Sequence, residues 1–279
     1  MLPRISCLMG KSNSDGEHRN NKHLKCEWFP VMAIVVAHWN IRGLRANIHQ
    51  FRNYLDHTRI SPDIICLQET FLKEKYQTPK FVNYNVIRKD FTKHSRGGLA
   101  ILIKTGISFT VLNTDEIENV EVFSVNIKTE TGHLEIVNTY IAPDIKLTKT
   151  QIEKIFPLKS AIVLGDFNTH SKSWGCTNVN ERGQILEEIL NDKQLTVLNT
   201  GQPTRIPSIN SKNRSVIDLS IVTKELALNC QHYVTNNSMG SDHYLCNIII
   251  NEEVQIEHNI SMHLWKLKKA VKFLCELMV

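Results

Sequence analysis

The sequence predicts an α/β fold in which two mixed β-sheets pack face to face with helices outside. Three observations carry that expectation. Short runs rich in Val and Ile recur along the chain, bounded by Gly, Asn, Pro or Ser. Amphipathic helical stretches are fewer than these runs. Some runs are joined by hairpin-length turns and others by helix-bearing crossovers, so antiparallel and parallel pairs are both expected.

Taken in order, residues 1–31 are rich in Asn, Lys, His and Ser without any period, and are read as a disordered or loosely ordered leader. The expected domain, 32–251, opens with "AIVVAHWN" (33–40), the first convincing strand. A helix follows at 47–58, where Ile48, Phe51 and Leu55 share one face. Strands are then expected at 63–69, 84–90, 97–104, 120–128, 133–141 and 160–167. Further strands follow at 195–199, 215–223 and 244–250. Helices are expected at 149–156 and at 181–193, the latter aligning Ile185, Leu186, Ile189 and Leu190. Residues 252–279 read as a linker and an amphipathic helix, with Leu264, Leu267, Val271, Leu274 and Met278 on one stripe and lysines opposite. That helix suits packing against a surface; lying on a lipid surface is the alternative.

With 42% hydrophobic and 22% charged residues, the composition is that of an ordinary soluble globular protein. The formal charge of +5 is compatible with a polyanionic partner without selecting one. The 7 cysteines (Cys7, Cys26, Cys66, Cys176, Cys230, Cys246 and Cys275) are scattered and form no CxxC pair. Their spacing therefore gives no support to thiolate zinc or thioredoxin chemistry, and a reducing intracellular setting is expected. No stretch approaches the ~20 apolar residues of a membrane span. No clear targeting signal is present.

The chemistry is expected where strands end. "IVLGDFNTHSKSWG" (162–175) begins as an aliphatic strand and breaks into Asp166, Asn168 and His170. Other apolar strands also end on one polar group: Asn40, Glu69 and Tyr140. Asp218 lies inside "SVIDLSIV", while Ser241, Asp242 and His243 precede the last strand. Singly, each has a plain explanation as a turn cap, a loop start or a core aromatic. Asp218 is harder to dismiss, because a carboxylate among Val216, Ile217 and Leu219 is costly unless paired; His243 is its expected partner. Together they suggest a common edge where rigid strands aim functional groups at one place.

Metal-assisted phosphodiester hydrolysis suits this set. Mg²⁺ takes hard oxygen ligands, with one or two carboxylates and the substrate phosphate; Mn²⁺ is the alternative ion. Glu69 is the expected metal carboxylate, with Asn40 and Asp242 holding it or its waters. Asp166 would orient and deprotonate water, and Asn168 and Tyr140 would donate to phosphate oxygens. His243, kept charged by Asp218, would stabilise the pentacovalent state or protonate.

The ordered motifs "WNIRGL", "LQET", "RGGLAILIK", "NTYIAP", "GDFNTHSKSWG", "IDLSIV" and "GSDH" resemble the exonuclease–endonuclease–phosphatase superfamily. "GDFNTHSKSWG", "LNTGQPTR" and "SVIDLSIV" narrow the resemblance to endonuclease domains of jockey-like non-LTR (LINE-type) retrotransposons, over roughly residues 33 to 250. The resemblance implies a DNase I-like, four-layer α/β sandwich and Mg²⁺-dependent nicking of double-stranded DNA. The freed 3′-hydroxyl would prime a reverse transcriptase domain, with that domain or its RNA as further partners, in the nucleus. It implies a monomer with no membrane partner. It also implies catalytic roles for Tyr140, Asp166, Asn168, Asp218 and His243, and metal roles for Asn40, Glu69 and Asp242. Thr204, Arg205 and Ser241 look like phosphate or DNA contacts. Arg214 falls in a segment, 205–215, that forms a groove-probing hairpin in this family; a solvated loop is the alternative. Arg96 suits the DNA backbone or plain solvent equally.

Two departures stand out. "IAPD" follows the tyrosine where repair enzymes have "VPN", which argues against abasic-site repair. No reverse transcriptase sequence follows residue 279, the expectation for a fragment, a decayed copy or a host gene. A lipid or small-molecule phosphodiesterase on the same fold, and a catalytically silent DNA-binding remnant, are the rival readings.

Overall fold

A computed structural model describes residues 33–90, 97–113, 116–130, 132–157, 160–207 and 215–251. The expected leader, the C-terminal helix, Arg96, Arg214 and most of the 205–215 hairpin lie outside the described residues.

In chain order the first strands are β1 (Ile34–Asn40), β2 (Ile64–Gln68), β3 (Tyr84–Lys89), β4 (Leu99–Lys104), β5 (Phe109–Leu112) and β6 (Glu121–Lys128). The rest are β7 (His133–Tyr140), β8 (Ala161–Asp166), β9 (Leu195–Val197), β10 (Asp218–Thr223), β11 (Cys230–Val234) and β12 (Cys246–Ile250). One sheet has the order β11-β12-β1-β2-β4-β3, the other β5-β6-β7-β8-β10-β9. The two share one plan. A central parallel pair, β1–β2 or β7–β8, is flanked outward by antiparallel neighbours. Helix α1 (Leu44–His57) links the first parallel pair and α2 (Lys149–Glu153) the second; α3 (Glu181–Asp192) and α4 (Lys224–Ala227) follow β8 and β10.

Every strand the sequence predicts is present, and two more appear, β5 and β11. Both are sheet edges that are partly exposed along their length. "FTVL" is only four residues long, and "CQHYV" carries Gln231 and His232 among its apolar residues, so neither run stands out from loop sequence. Helix α1 starts earlier than its apolar period suggests, because the Gly43 and Leu44 amides donate to the Glu69 and Thr70 carbonyls (2.7 and 2.9 Å). Helix α2 stops earlier, at Glu153; Thr148 and Gln151 cap its start reciprocally. Asn180 caps α3, its side chain accepting from the Gly183 amide at 2.8 Å.

Three apolar clusters define the layers. Ile34, Val36, Cys66, Ile101, Val125, Ile136, Leu164 and Ile248 fill the space between the sheets. Trp39, Leu44, Phe51 and Ile65 pack α1 on the outside of the first sheet. Phe156, Val163, Leu186, Ile189 and Leu219 pack α2 and α3 on the outside of the second. The result is a four-layer α/β sandwich.

The strand period of two then decides where polar groups go. Ile34 and Val36 face the inter-sheet core, so His38 and Asn40 do as well. By the same count Gln68 follows Ile64 and Cys66, Asp166 follows Ile162 and Leu164, and Asp218 shares the face of Val222. The inner layer is apolar over most of its depth and polar at one end.

Candidate active site

That polar end lies where both parallel pairs finish. The Asn40 amide Nδ2 donates to Glu69 Oε1 and to Asp166 Oδ2, each at 2.9 Å. One side chain thus joins carboxylates carried by the two sheets. The Arg42 amide donates to Asn40 Oδ1 at 3.1 Å, which sets the amide's orientation. Glu69 (φ 50°) and Asn168 (φ 47°) both adopt the left-handed backbone conformation, at a cost on the order of 1 kcal/mol each. Gly165, before Asp166, has φ 140°, and a Cβ there would lie 1.9 Å from the Thr139 carbonyl oxygen. Only glycine lets β8 approach β7 closely enough to deliver Asp166.

Asp218 stands opposite Asp166 in the β8–β10 register. His243 lies between them. Its Nδ1 is 2.9 Å from both Asp218 oxygens, and its Nε2 is 3.9 Å from Asp166 Oδ2. All three are more than nine-tenths buried. Burial pushes the imidazole pKa down, but Asp218, through charge and hydrogen bond, and then Asp166 and Asp242 outweigh it and raise it to about 9. Burial also lifts Asp166 well above the usual carboxylate range; Asp218 adds to this, while His243 and the Asn40 amide oppose it. The pair that emerges is a reluctant carboxylate facing a charged imidazolium, as general base and electrostatic stabiliser require.

Tyr140 is pushed upward by burial, then by Glu69 and Asp166, so its phenol stays protonated as a donor. The Asn168 amide N–H donates to Asp166 Oδ1 (3.0 Å), and its side chain donates to the Ile141 carbonyl (3.1 Å). Asp242 Oδ2 accepts from Arg42 (2.7 Å) and Arg205 (3.1 Å), while its Oδ1 is buried without a partner, 4.0 Å from His243 Nε2. Its pKa is lowered: burial raises it, but His243, Arg42 and Arg205 together prevail.

The two hydroxyls expected at phosphate are engaged with the backbone. Thr204 is fully buried, and its Oγ1 accepts from the Ile217 and Asp218 amides at 3.1 Å. Ser241 Oγ donates to the Asn40 carbonyl (2.7 Å) and accepts from the His243 amide (3.1 Å). Both hold the backbone of this polar end in place. His170, by contrast, is half-buried, with burial and then Arg205 lowering its pKa.

Several positioning residues escape the sequence reading. Gln68 Nε2 donates to Asn138 Oδ1 (2.7 Å), and Asn138 Nδ2 donates to the Leu67 and Ala100 carbonyls (3.1 Å each), stitching the sheets behind the site. Arg182 of α3 donates to the carbonyls of Phe167, Asn168, Ala142, Pro143 and Ile145, tying together the loops after β7 and β8. Glu121 accepts from the Gly98 amide (2.8 Å); burial raises its pKa to about 7, the Gly98 bond opposing and nearby Glu69 adding. An extra polar residue on an interior-facing position, as at Gln68 and Asn138, is the one signal that could have exposed the first pair.

The donor set suits a hard cation. Ligand atoms of Asp166, Asp218 and His243 lie within 4.8 Å of one another, and around them Glu69, held with Asp166 by the Asn40 amide, and the unpaired Asp242 Oδ1 add oxygen donors. The only imidazole in the group is committed to Asp218.

The comparisons agree with this geometry. The endonuclease–reverse transcriptase family matches residues 134–246. A probable RNA-directed DNA polymerase from transposon BS of Drosophila melanogaster is 26% identical over 187 residues, 66% of this chain and 20% of that protein. The RNA-directed DNA polymerase from mobile element jockey of Drosophila funebris is 24% identical over 216 residues, 75% of this chain and 23% of that protein. The chain spans about a fifth of the length of the curated relatives it matches. Among solved structures, the endonuclease domain of TRAS1, a telomere-specific non-LTR retrotransposon, superposes with TM-score 0.65 at 20% identity, over 80% of this chain and 100% of that one. An AP endonuclease from Leishmania major gives TM-score 0.65 at 15% identity, over 80% and 89%. The fold is therefore DNase I-like, and in sequence the stretch 134–246 resembles the endonuclease–reverse transcriptase family. The curated relatives are proteins of Drosophila mobile elements, and the solved TRAS1 domain comes from a non-LTR retrotransposon.

Proposed function

We propose that this chain is a Mg²⁺-dependent endonuclease that nicks one strand of double-stranded DNA and leaves a 3′-hydroxyl. The observation that carries this reading is the Asn40 bridge between Glu69 and Asp166, set against the His243–Asp218 pair. Acceptors for a cation and a charged donor for a phosphate thereby flank one general base. Glu69, with oxygens of Asn40 and Asp242, would hold the ion, which supplies Lewis-acid neutralisation of the phosphate. Asp166, positioned by Asn40 and the Asn168 amide, takes a proton as the water oxygen bonds to phosphorus. The bond from phosphorus to the 3′-oxygen breaks in line, and that oxygen takes a proton from solvent. His243 Nε2 and the Tyr140 phenol donate to the non-bridging oxygens as charge develops there. Arg42 and Arg205, on the rim, suit DNA phosphates. In a full-length element the 3′-hydroxyl would serve a reverse transcriptase domain.

Supercoiled plasmid with Mg²⁺ tests the proposal. Conversion to open circles, abolished by EDTA and by Asp166→Asn, is the expected result. Intact plasmid beside turnover of an inositol phosphate or lipid would replace it with the small-molecule reading. Retarded DNA without cleavage would replace it with a silent binding module.

A further inference from the structure

Behind the catalytic groups, on the same inner face, lies a second cluster of ligating side chains. His38 on β1 pairs with Cys246 on β12, and Val234 on β11 pairs with Cys246 from the other side. His232, two residues before Val234, therefore shares that face. One ligand atom from each of His38, His232 and Cys246 lies within 4.8 Å of the others. His38 sits two residues before Asn40, as Ser220 sits two after Asp218, so the cluster is about 7 Å deeper than the catalytic groups.

Its hydrogen bonding is incomplete in a telling way. His38 and Cys246 are fully buried. His38 Nε2 lies 2.8 Å from Ser220 Oγ, but Nδ1 has no partner. His232 is buried at both ring nitrogens with a partner for neither. Each unpaired buried nitrogen has given up its hydrogen bonds to water without replacement. We propose that His38, His232 and Cys246 form an imidazole–thiolate site for Zn²⁺, separate from the oxygen-lined catalytic site. Two imidazoles and a thiolate are the borderline-soft donors that zinc favours. Ser220, on the opposite sheet, occupies the far nitrogen of His38, as an outer-shell partner does for a metal-bound imidazole. Donors about 2.0–2.3 Å from a tetrahedral zinc lie about 3.5 Å apart, so modest side-chain rotation closes the cluster. The Cys246 thiol loses its proton to solvent as the sulfur–zinc bond forms. His232, half-buried on the edge strand β11, provides the entry path.

Zinc joined to three strands would fasten the edge of the first sheet. The test uses the full chain, freed of metal and then titrated with Zn²⁺ alone, or with Co²⁺ as a spectroscopic probe. One equivalent should bind, with a thiolate-to-cobalt charge-transfer absorption that survives in a Glu69→Gln, Asp166→Asn double variant. Cys246→Ser and His232→Ala should each abolish that absorption and weaken Zn²⁺ binding at least 100-fold. Absence of the absorption in the unaltered protein, or its persistence in both single variants, would overturn the site. Should Cys246→Ser fail to fold by circular dichroism, His232→Ala, on a partly exposed edge position, decides alone.

Discussion

His38 and His243 are both buried imidazoles under the influence of Asp218, yet one is neutral and the other charged. His243 touches the carboxylate and is raised to about 9. For His38, burial dominates, Asp218 opposes it from further off, and the pKa falls to about 3. Direct hydrogen-bonded contact with a carboxylate outweighs burial; proximity without contact does not. The same inner layer thereby holds one charged and one neutral imidazole within a few residues of each other along its strands.

The largest expected effect comes from disabling the groups around the charged imidazole. Asp166→Asn should reduce plasmid nicking about 10³-fold, within the range of general-base removal. Residual nicking within tenfold of normal would assign the base elsewhere. Next, Asp218→Asn should make His243 resemble His38: its pKa should drop below 6.5 by NMR in the metal-free protein, with nicking reduced about 10²-fold. An unmoved pKa would break the comparison.

Titration of the unaltered, metal-free protein sharpens it without mutation. His243, raised from 6.5 to about 9, contributes stability that is complete below pH 6.5 and lost as pH rises through 9. His38, at about 3, and His232, lowered by burial to about 4, stay neutral in the fold. They make stability decline as pH falls below 6.5, because the unfolded chain then binds protons the folded one refuses. Asp166 and Glu121, raised by burial, hold protons in the fold and offset that decline below pH 6.5, so the measurable outcome is a melting temperature that falls between pH 7 and 9 as His243 loses its proton. A melting temperature still climbing at pH 9 would contradict the assignment. The smallest effect is at the rim: Arg205→Ala should weaken DNA binding about threefold at low salt and reduce the salt slope by about 1. A uniform loss of turnover with unchanged binding would place Arg205 in the chemistry instead.

Much of this was legible in the residues themselves. Asn40, Glu69, Tyr140 and Asp166 stand out because each ends or follows an apolar strand, and Asp218 because a lone acid in such a strand demands a partner. The strands β5 and β11 were not, since one is only four residues long and the other is interrupted by Gln231 and His232. Nor was the His38–His232–Cys246 group. Metal motifs are sought at short spacing, and these three come together only through strand register across 208 positions of chain, from His38 to Cys246. Arg182 reads as an ordinary helix-surface cation; its role appears only when the loops fold back around it.

The Asn40 amide has one more consequence. By grasping Glu69 and Asp166 at once, it makes catalytic alignment a gauge of how the two halves of the sandwich slide past each other. A deeper aliphatic trimmed on β8, such as Ile162→Ala, four residues before Asp166, would then erode turnover at temperatures where the protein is still fully folded.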